Sequence, residues 1–196
     1  MSFITRGFTG AGRERDPRLP PGQSLVADWP VLSAGPTPDV PLDEWSFSIR
    51  TETGVTAWSW EELLALGVED VTVDIHCVTH WSRLDMAWRG VSLDRIFENV
   101  ETDAPYLMAH SHGGYTTNLA LEEVLDGKAW IATEADGEPL DPEHGGPARL
   151  LVPALYFWKS AKWVRGLVMM DDDEPGFWEQ NGYHMHGDPW REERYW

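Results

Sequence analysis

The chain has 196 residues, enough for one domain with a substantial core, and it carries 33 acidic against 15 basic residues. The formal charge of -18 opposes binding to nucleic acids and anionic membrane surfaces, and a hydrophobic fraction of 42% argues against disorder. We find no apolar run of membrane-spanning length and no secretion signal at the N-terminus. We therefore expect no membrane insertion and a cytoplasmic location.

Hydrophobic periodicity and capping residues predict an α+β fold with a mostly β, mixed-sheet core and short helices. The chain is interpreted as one domain, 1–196, with an extended Pro- and Gly-rich arm at 1–44 and an aromatic tail at 172–196 that wraps around it. Strands are predicted at 44–50, 71–78, 106–111, 129–136, 148–155 and 162–171, and helices at 59–67, 92–100 and 118–127.

The only cysteine, Cys77, follows the alternating apolar residues of the strand at 71–78. The alternation places Cys77 on the apolar face where the strand ends, a common position for binding and catalytic residues. His76 points to the opposite face of the same strand. These residues leave three interpretations open: a small buried side chain, a nucleophile with a histidine base, or a metal ligand.

Histidines provide one specific form of the metal interpretation. A His-x-His pair on a strand places both rings on one face. Such pairs, together with the histidines beside Cys77, have the chemistry of a zinc or iron site. The candidate ligands are His76, Cys77, His80, His110, His112, His184 and His186.

Basic residues are concentrated at 149–165, which holds Lys159 and Lys162, two of the three lysines in the chain. They either pair with the acidic run 171–174 or, with Ser160 and backbone N–H groups, bind a phosphate or pyrophosphate. The chain has no Walker motif and no G-x-G-x-x-G, so the pattern does not indicate an ordinary nucleotide-binding fold.

Three segments, in this order, resemble the sulfite oxidase family of molybdenum enzymes. "HCVTHWSRLDMAWRGVSLDRIF" resembles its cysteine motif, and "HGGPARLLVPALYFWKSAKWVRGL" resembles a basic segment further along the family's chain. "EPGFWEQNGYHMHGDPW" resembles the end of the bacterial single-domain branch, which includes the catalytic subunit of the protein-methionine-sulfoxide reductase. The resemblance covers roughly residues 29 to 190.

This resemblance implies the sulfite-oxidase molybdopterin-domain fold and a molybdopterin cofactor, with Cys77 as the catalytic protein ligand to molybdenum. A soft thiolate suits a metal that is already held by sulfur. The implied reaction is two-electron oxygen-atom transfer on a small sulfur- or nitrogen-containing substrate. The positions expected to contact the cofactor are Leu32, Ser33, His76, Ser111, His144, Arg149, Lys159, Ser160, Ala161 and Lys162.

The chain departs from the family pattern at two places. Sulfite oxidases have an N-terminal Arg that helps to hold sulfite, whereas the corresponding stretch here reads Leu32, Ser33, Ala34, which argues against sulfite. The reductase has a Glu two residues after its Cys, and this chain has Thr79. With no haem domain in the sequence, electron transfer is expected to involve a separate flavoprotein, ferredoxin or cytochrome, and the protein is expected to be a monomer. A non-catalytic protein that binds a pterin or another anion is a further alternative.

Overall fold

A computed structural model describes residues 16–196, which contain eleven β-strands and three short α-helices. Three single 3-10 turns lie at Leu121–Glu123, Pro142–His144 and Phe157–Lys159. This confirms the predicted α+β class with a mostly β core. The elements are β1 Ser24–Leu25, β2 Ser46–Arg50, β3 Val55–Ser59, α1 Trp60–Ala65, β4 Glu69–His76, β5 Trp81–Ser92, α2 Leu93–Phe97, β6 Tyr106–Ser111, β7 Thr116–Ala120, β8 Trp130–Ala135, β9 Glu138–Pro139, β10 Arg149–Leu151, β11 Val164–Met170 and α3 Phe177–Gln180.

The described strands form two mixed sheets. The first sheet has the order β1-β5-β8-β10, with β4 on the other edge of β5 and β9 paired to β8. The second has the order β3-β2-β11-β6-β7. Only β1 with β5 and β11 with β2 are parallel pairs among these strands. Every other pair is antiparallel, and four of these seven pairs join strands that follow one another in the chain through a short connection.

Two hydrophobic cores lie on opposite sides of the first sheet. Ile131 belongs to the core shared with the second sheet and with α1 and α2. Its neighbours Trp130 and Ala132 belong to the other core, which contains Cys77. Because successive side chains of a strand point to opposite faces, β8 contributes to both cores and is buried along most of its length.

The long strand β5 was not predicted from the sequence. Its interior reads "SRLDMAWRG", which is polar and lacks clean alternation. Tertiary pairing decides its conformation, because β4 pairs along one edge while β1 and β8 pair along the other. The register shifts between Arg89 and Gly90, and a Cβ at Gly90 would overlap the carbonyl oxygen of Ile131. Only glycine allows this close approach of two backbones.

The predicted helices are correct in part. The capping box of Ser59 and Glu62 starts α1, as the spacing predicted. The predicted helix at 118–127 is wrong, because the chain forms β7 and then one 3-10 turn. Thr117, Asn118 and Leu119 are buried in β7 against β6, so burial in the sheet overrides a locally helical pattern. Among residues 16–196 no helix is long and apolar enough to cross a bilayer.

Candidate active site

The loop between β4 and β5 presents Cys77. The Cys77 N–H donates to Trp81 O at 2.8 Å, and the His80 N–H donates to Cys77 O at 3.1 Å. The turn closes with His80 at a φ of 73°, a conformation that few residues other than glycine adopt. The strand-end position predicted for Cys77 is therefore confirmed. The His80 ring is not directed at the sulfur, because its Nδ1 hydrogen-bonds the backbone oxygen of Gly22 at 3.1 Å.

Both ends of the described chain hold this loop. From the N-terminal side, Gln23 Nε2 donates to Cys77 O at 2.9 Å. From the C-terminal side, Arg194 Nη1 donates to Val78 O at 2.6 Å and Nη2 donates to Pro21 O at 3.3 Å. Gln23 and Arg194 are each only 7% exposed. Hydrogen bonds from a buried cation to backbone carbonyls are strong, so the loop is firmly positioned.

The Cys77 thiol lies in an apolar setting with one polar neighbour. Cys77 is 7% exposed, and its Sγ is 3.2 Å from Thr79 Oγ1. Burial raises the pKa of the thiol, because a low-dielectric site disfavours the charged form. The Thr79 hydrogen bonds and the positive charge of Arg194 act in the opposite direction. A free Cys77 is thus held as a thiol, and a metal ion would be needed to favour the thiolate.

Cys77 lines a cavity of about 450 Å³, within the size range of small-molecule and cofactor sites. The cavity is bordered by the N-terminal arm, the loop at 112–115, the basic segment and the tail. Nine of the residues that line it are aromatic. The aromatic lining residues are Trp29, Trp81, Tyr115, Phe157, Trp158, Trp163, Phe177, Trp178 and Tyr183.

Arg149 and Lys162 give one part of the cavity a positive charge. Arg149 is 1% exposed, and its Nη1 and Nη2 donate to His144 O and Ser160 O, both at 2.7 Å. Its guanidinium carbon lies 4.1 Å from the centre of the Phe157 ring. Burial lowers the pKa of Arg149. These contacts fix the guanidinium plane in the wall of the cavity.

Lys162 Nζ donates to Leu32 O at 2.7 Å and to Glu143 O at 2.6 Å, which ties the N-terminal arm to the basic segment. Burial, followed by the nearby charge of Arg149, lowers the pKa of Lys162 to about 8. An anion bound beside Lys162 would favour its charged form.

His144 completes this part of the cavity. Its ring stacks on Trp29 with centroids 3.8 Å apart and planes 5° apart. Burial lowers the pKa of His144, and the charges of Arg149 and Lys162 lower it further. His144 is therefore neutral at pH 7 and offers a flat ring with a hydrogen-bonding edge.

The structure brings eight of the predicted site residues to the cavity wall. They are Cys77, Leu32, Ser33, His144, Arg149, Ser160, Ala161 and Lys162. The most distant of them, Leu32 and Lys162, lie 130 positions apart in the sequence, so their meeting is a result of the fold.

Three predicted site residues do not line the cavity. His76 points away from Cys77 and makes a 2.8 Å hydrogen bond between its Nδ1 and Ser82 Oγ. Ser111 is 1% exposed at the end of β6, one residue before the cavity loop, which instead presents His112 and Gly113. The third is Lys159, which is fully buried away from the cavity wall.

Lys159 is fully buried and forms an ion pair instead of an anion site. Its Nζ lies 2.7 Å from Glu179 Oε1, and the side chains of both residues are 0% exposed. Nζ also donates to Asn118 Oδ1 at 2.8 Å, to Asn118 O at 2.9 Å and to Met185 O. A lysine with these partners has no free donor for a phosphate. The partner is therefore Glu179 of the tail, and not a residue of the acidic run 171–174.

The zinc or iron alternative receives no support from the placement of the histidines. Across residues 16–196, no three or more His, Cys, Asp or Glu side chains are grouped so that they could hold a metal ion. His186 instead lies 2.7 Å from Glu193 through Nδ1, and His184 lies 3.5 Å from the same carboxylate.

The donor set fits a large anionic cofactor with a soft metal. Four buried polar atoms in or beside the cavity wall have no hydrogen-bond partner within the described part of the chain: Trp81 Nε1, Ser111 Oγ, His112 Nε2 and Arg149 Nε. Buried polar groups are nearly always paired, so a ligand in the cavity is their natural partner. Gly113 and Gly114 both have positive φ, and a Cβ at either would meet no atom within 4 Å. The cavity thus offers one soft ligand, two cations and an open glycine turn.

Comparison with solved structures identifies the fold. The chain is similar to the sulfane dehydrogenase SoxCD from Paracoccus pantotrophus, with a TM-score of 0.64 and 21% identity over 74% of this chain and 42% of that chain. Fold and site together define the class, an oxidoreductase domain of the sulfite-oxidase molybdopterin fold. Residues 34–178 match the family model described as oxidoreductase molybdopterin binding domain. The chain belongs to this family of enzymes, and its cofactor is molybdopterin.

Relatives cover this chain to different extents. The uncharacterized oxidoreductase YuiH of Bacillus subtilis (strain 168) is 42% identical over 96% of this chain and 98% of its own. The putative protein-methionine-sulfoxide reductase subunit YedZ1 of Azospira oryzae is 28% identical over 74% of this chain and 57% of its own. The mitochondrial sulfite oxidase of Drosophila melanogaster is 32% identical over 45% of this chain and 15% of its own.

Sequence reasoning missed the residues that hold the cysteine loop and most of the aromatic wall. Gln23 and Arg194 gave no signal, because each acts on a backbone carbonyl far away in sequence. The aromatic residues of the tail gave a partial signal, since so many in a segment without periodicity indicated anchoring. Their role in bordering the cavity appears only in the folded chain.

Proposed function

We propose that this chain catalyses two-electron oxygen-atom transfer on a small sulfur- or nitrogen-containing substrate. The observation that carries the proposal is the position of Cys77, a single soft ligand in the wall of a cavity that Arg149, Lys162 and several aromatic residues also line. When bound, molybdopterin supplies a molybdenum centre that exchanges an oxygen atom and two electrons with the substrate.

Arg149 and Lys162 are proposed to bind the anionic end of the cofactor. Arg149 already has two of its donors fixed on backbone carbonyls, so its remaining Nε is preoriented. Lys162 has two acceptors and retains a third N–H. Ser33, His144, Ser160 and Ala161 border the same volume and limit where the cofactor can lie.

Cys77 is proposed as the protein ligand to molybdenum. Gln23 and Arg194 fix the carbonyls of Cys77 and Val78, so the sulfur is preorganised before the metal arrives. The hydroxyl of Thr79 can donate to the sulfur and so reduce the charge it places on the metal. Cys77 is only 7% exposed, which limits the access of water to this sulfur.

Partner and location belong to the same proposal. The names of two relatives describe subunits of a reductase, which supports electron exchange with a separate flavoprotein, ferredoxin or cytochrome. The cytoplasmic location stays a prediction of the sequence.

The interpretation of the chain as one domain with an arm and a tail is supported by the contacts of Gln23 and Arg194 with one loop.

A Cys77→Ser variant tests the proposal. The protein is expressed in a host that makes molybdopterin, and molybdenum, pterin and the Mo(V) EPR signal are measured. The unchanged protein is expected to hold about one molybdenum per chain, and the variant is expected to fold with an altered EPR signal and no oxygen-atom transfer. A protein that contains neither molybdenum nor pterin contradicts the proposal. Metal with no redox response identifies a non-catalytic cofactor binder.

A further inference from the structure

The aromatic residues of the tail continue from the cavity wall to the outer surface. Phe177, Trp178 and Tyr183 line the cavity. The ring centroids of Trp178 lie 5.1 Å from Phe177 and 4.9 Å from Tyr183. The Tyr183 ring in turn lies 5.1 Å from that of Tyr195, which is 59% exposed and stands outside the cavity lining. A connected series of rings therefore joins the cavity to the surface.

Trp196 extends this series at the surface. Its N–H donates to Gly182 O at 3.3 Å, and its side chain is 76% exposed. At the other end of the series, Phe177 is 38% exposed. We call Phe177, Tyr195 and Trp196 the tail patch. Large aromatic groups that are exposed together are typical of protein interfaces.

Acidic residues without ion pairs flank the tail patch. The four acids of 171–174 are exposed and lie just before α3, which begins at Phe177. Asp173 accepts a hydrogen bond from Asn118 Nδ2 at 2.6 Å. Within residues 16–196, however, no Lys, Arg or His forms an ion pair with any of the four. Glu192, further along the tail, is also exposed. These carboxylates can therefore meet the positive charges of a partner.

The tail has little positive charge of its own. It contains two basic residues besides histidine, Arg191 and Arg194. Arg191 pairs with Asp188 at 3.3 Å and with Glu193 at 3.8 Å, and Arg194 is buried on backbone carbonyls. With a formal charge of -18, the chain repels a second copy of itself and an anionic membrane. A partner with a positive face is the occupant that the charges favour.

We propose that the tail patch, with the acidic run 171–174, docks a small soluble one-electron carrier that has a positively charged face. This inference rests on the proposed function and names the chemistry of its electron-transfer partner. The rings supply apolar contact, and the acids orient the carrier as it approaches. Phe177 belongs to both the patch and the cavity wall, so a docked carrier lies at the edge of the cavity. Each docked carrier exchanges one electron, so two successive dockings complete a two-electron turnover.

Binding to the full chain as purified tests the docking surface without using catalysis. The probe is cytochrome c, a small one-electron carrier with a positive face, and isothermal titration calorimetry measures its affinity. We expect saturable binding that weakens by about tenfold when the salt concentration rises from about 20 mM to about 200 mM. An acidic plant-type ferredoxin is expected to bind at least about tenfold more weakly than cytochrome c. A ferredoxin that binds as tightly as cytochrome c overturns the inference.

A substitution in the patch tests the apolar contact. Trp196→Ser is expected to weaken cytochrome c binding by about tenfold, as the loss of an aromatic interface residue commonly does. Val55→Ser is the control, because Val55 is 54% exposed but lies in β3 and outside the tail. Equal affinities of the two variants for cytochrome c overturn the role of the tail patch.

The acidic run has a matched pair of double variants. Asp171→Asn with Asp172→Asn is expected to weaken cytochrome c binding by about fivefold and to reduce its dependence on salt. Glu61→Gln with Glu138→Gln removes the same charge from α1 and β9, and it is expected to weaken binding by less than about twofold. Equal losses in the two double variants would show that net charge alone attracts the carrier, which overturns the inference.

Electron transfer separates docking from cofactor content. Holoenzyme reduced with dithionite is mixed with oxidised cytochrome c, and each haem iron gains one electron, so the loss of two electrons reduces two cytochromes. We expect Trp196→Ser to slow this reaction by about tenfold and to leave reoxidation by the small acceptor ferricyanide unchanged. Equal slowing with both acceptors overturns the inference. Absence of molybdenum with cytochrome c binding intact refutes the proposed function alone. Molybdenum without cytochrome c binding refutes the docking surface alone.

Discussion

Arg194, near the end of the chain, hydrogen-bonds Val78 O at 2.6 Å, immediately after the cysteine that lies 117 positions earlier. The guanidinium carbon of Arg194 also lies 4.8 Å from the centre of the Tyr156 ring. The tail thereby fixes the loop that presents the thiol, and Arg194 is a positioning residue for Cys77.

Replacement of Arg194 by Ala is expected to disturb the cofactor site more than the fold. Loss of charged hydrogen bonds should lower the free energy of unfolding by about 2 kcal/mol. The molybdenum content should also fall, and the Mo(V) EPR signal of the loaded fraction should change because Cys77 is less fixed. Arg191→Ala is the control, since the Arg191 side chain is 72% exposed. Identical metal content and EPR signals in the two variants would exclude a positioning role.

Lys159 and Glu179 should stabilise the tail only as a pair. Lys159→Met leaves the Glu179 carboxylate buried without its cation and should cost about 3–5 kcal/mol. Glu179→Gln should also destabilise, because it leaves the Lys159 charge uncompensated. The double variant Lys159→Met with Glu179→Gln should lose clearly less than the sum of the single losses. Urea unfolding of the four proteins gives the coupling, and strict additivity would contradict the ion pair.

Lys162 should make anion binding dependent on pH. Its pKa is lowered to about 8, so the side chain is charged below that value and loses its proton as the pH rises through it. Sulfate keeps its charge over this range and serves as the probe on cofactor-free protein. Affinity should fall by up to about tenfold between pH 7 and pH 9. A bound anion stabilises the charged form and moves the fall to higher pH.

Substitutions at two lysines test this prediction. Lys162→Met should bind sulfate weakly and lose this part of the pH dependence, whereas Lys128→Met should behave like the unchanged protein because Lys128 lies outside the cavity lining. Isothermal titration at several pH values measures both. A pH profile that Lys162→Met leaves intact would assign the anion site to other residues.

Gly90 should not tolerate a side chain. Alanine there would overlap the carbonyl of Ile131, where β5 meets β8, and should cost about 3 kcal/mol. Gly35→Ala is the control, because a Cβ at that position meets no atom within 4 Å. Thermal unfolding compares the two, and equal midpoints would show that β5 and β8 are not this close.

The sequence predicted the parts of the fold that local patterns encode. The strand that leads to Cys77 alternates clearly, and the capping box at Ser59 has a fixed spacing, so both were found. The sequence did not predict strand β5, and it wrongly predicted a helix at 118–127, for the same reason. Their conformations depend on distant strands, and pairing with those strands outweighs local propensity.

By itself the sequence determined the family motif, the single soft ligand Cys77 and a concentration of basic residues at 149–165. Only the tertiary structure decided which of those basic residues line the cavity and which are buried in an ion pair. Arg149 and Lys162 line the cavity, while Lys159, between them in sequence, turns into the core and pairs with Glu179. The physical reason is that a buried charge requires a partner, and the fold decides whether that partner is a carboxylate of the protein or an anion in the cavity.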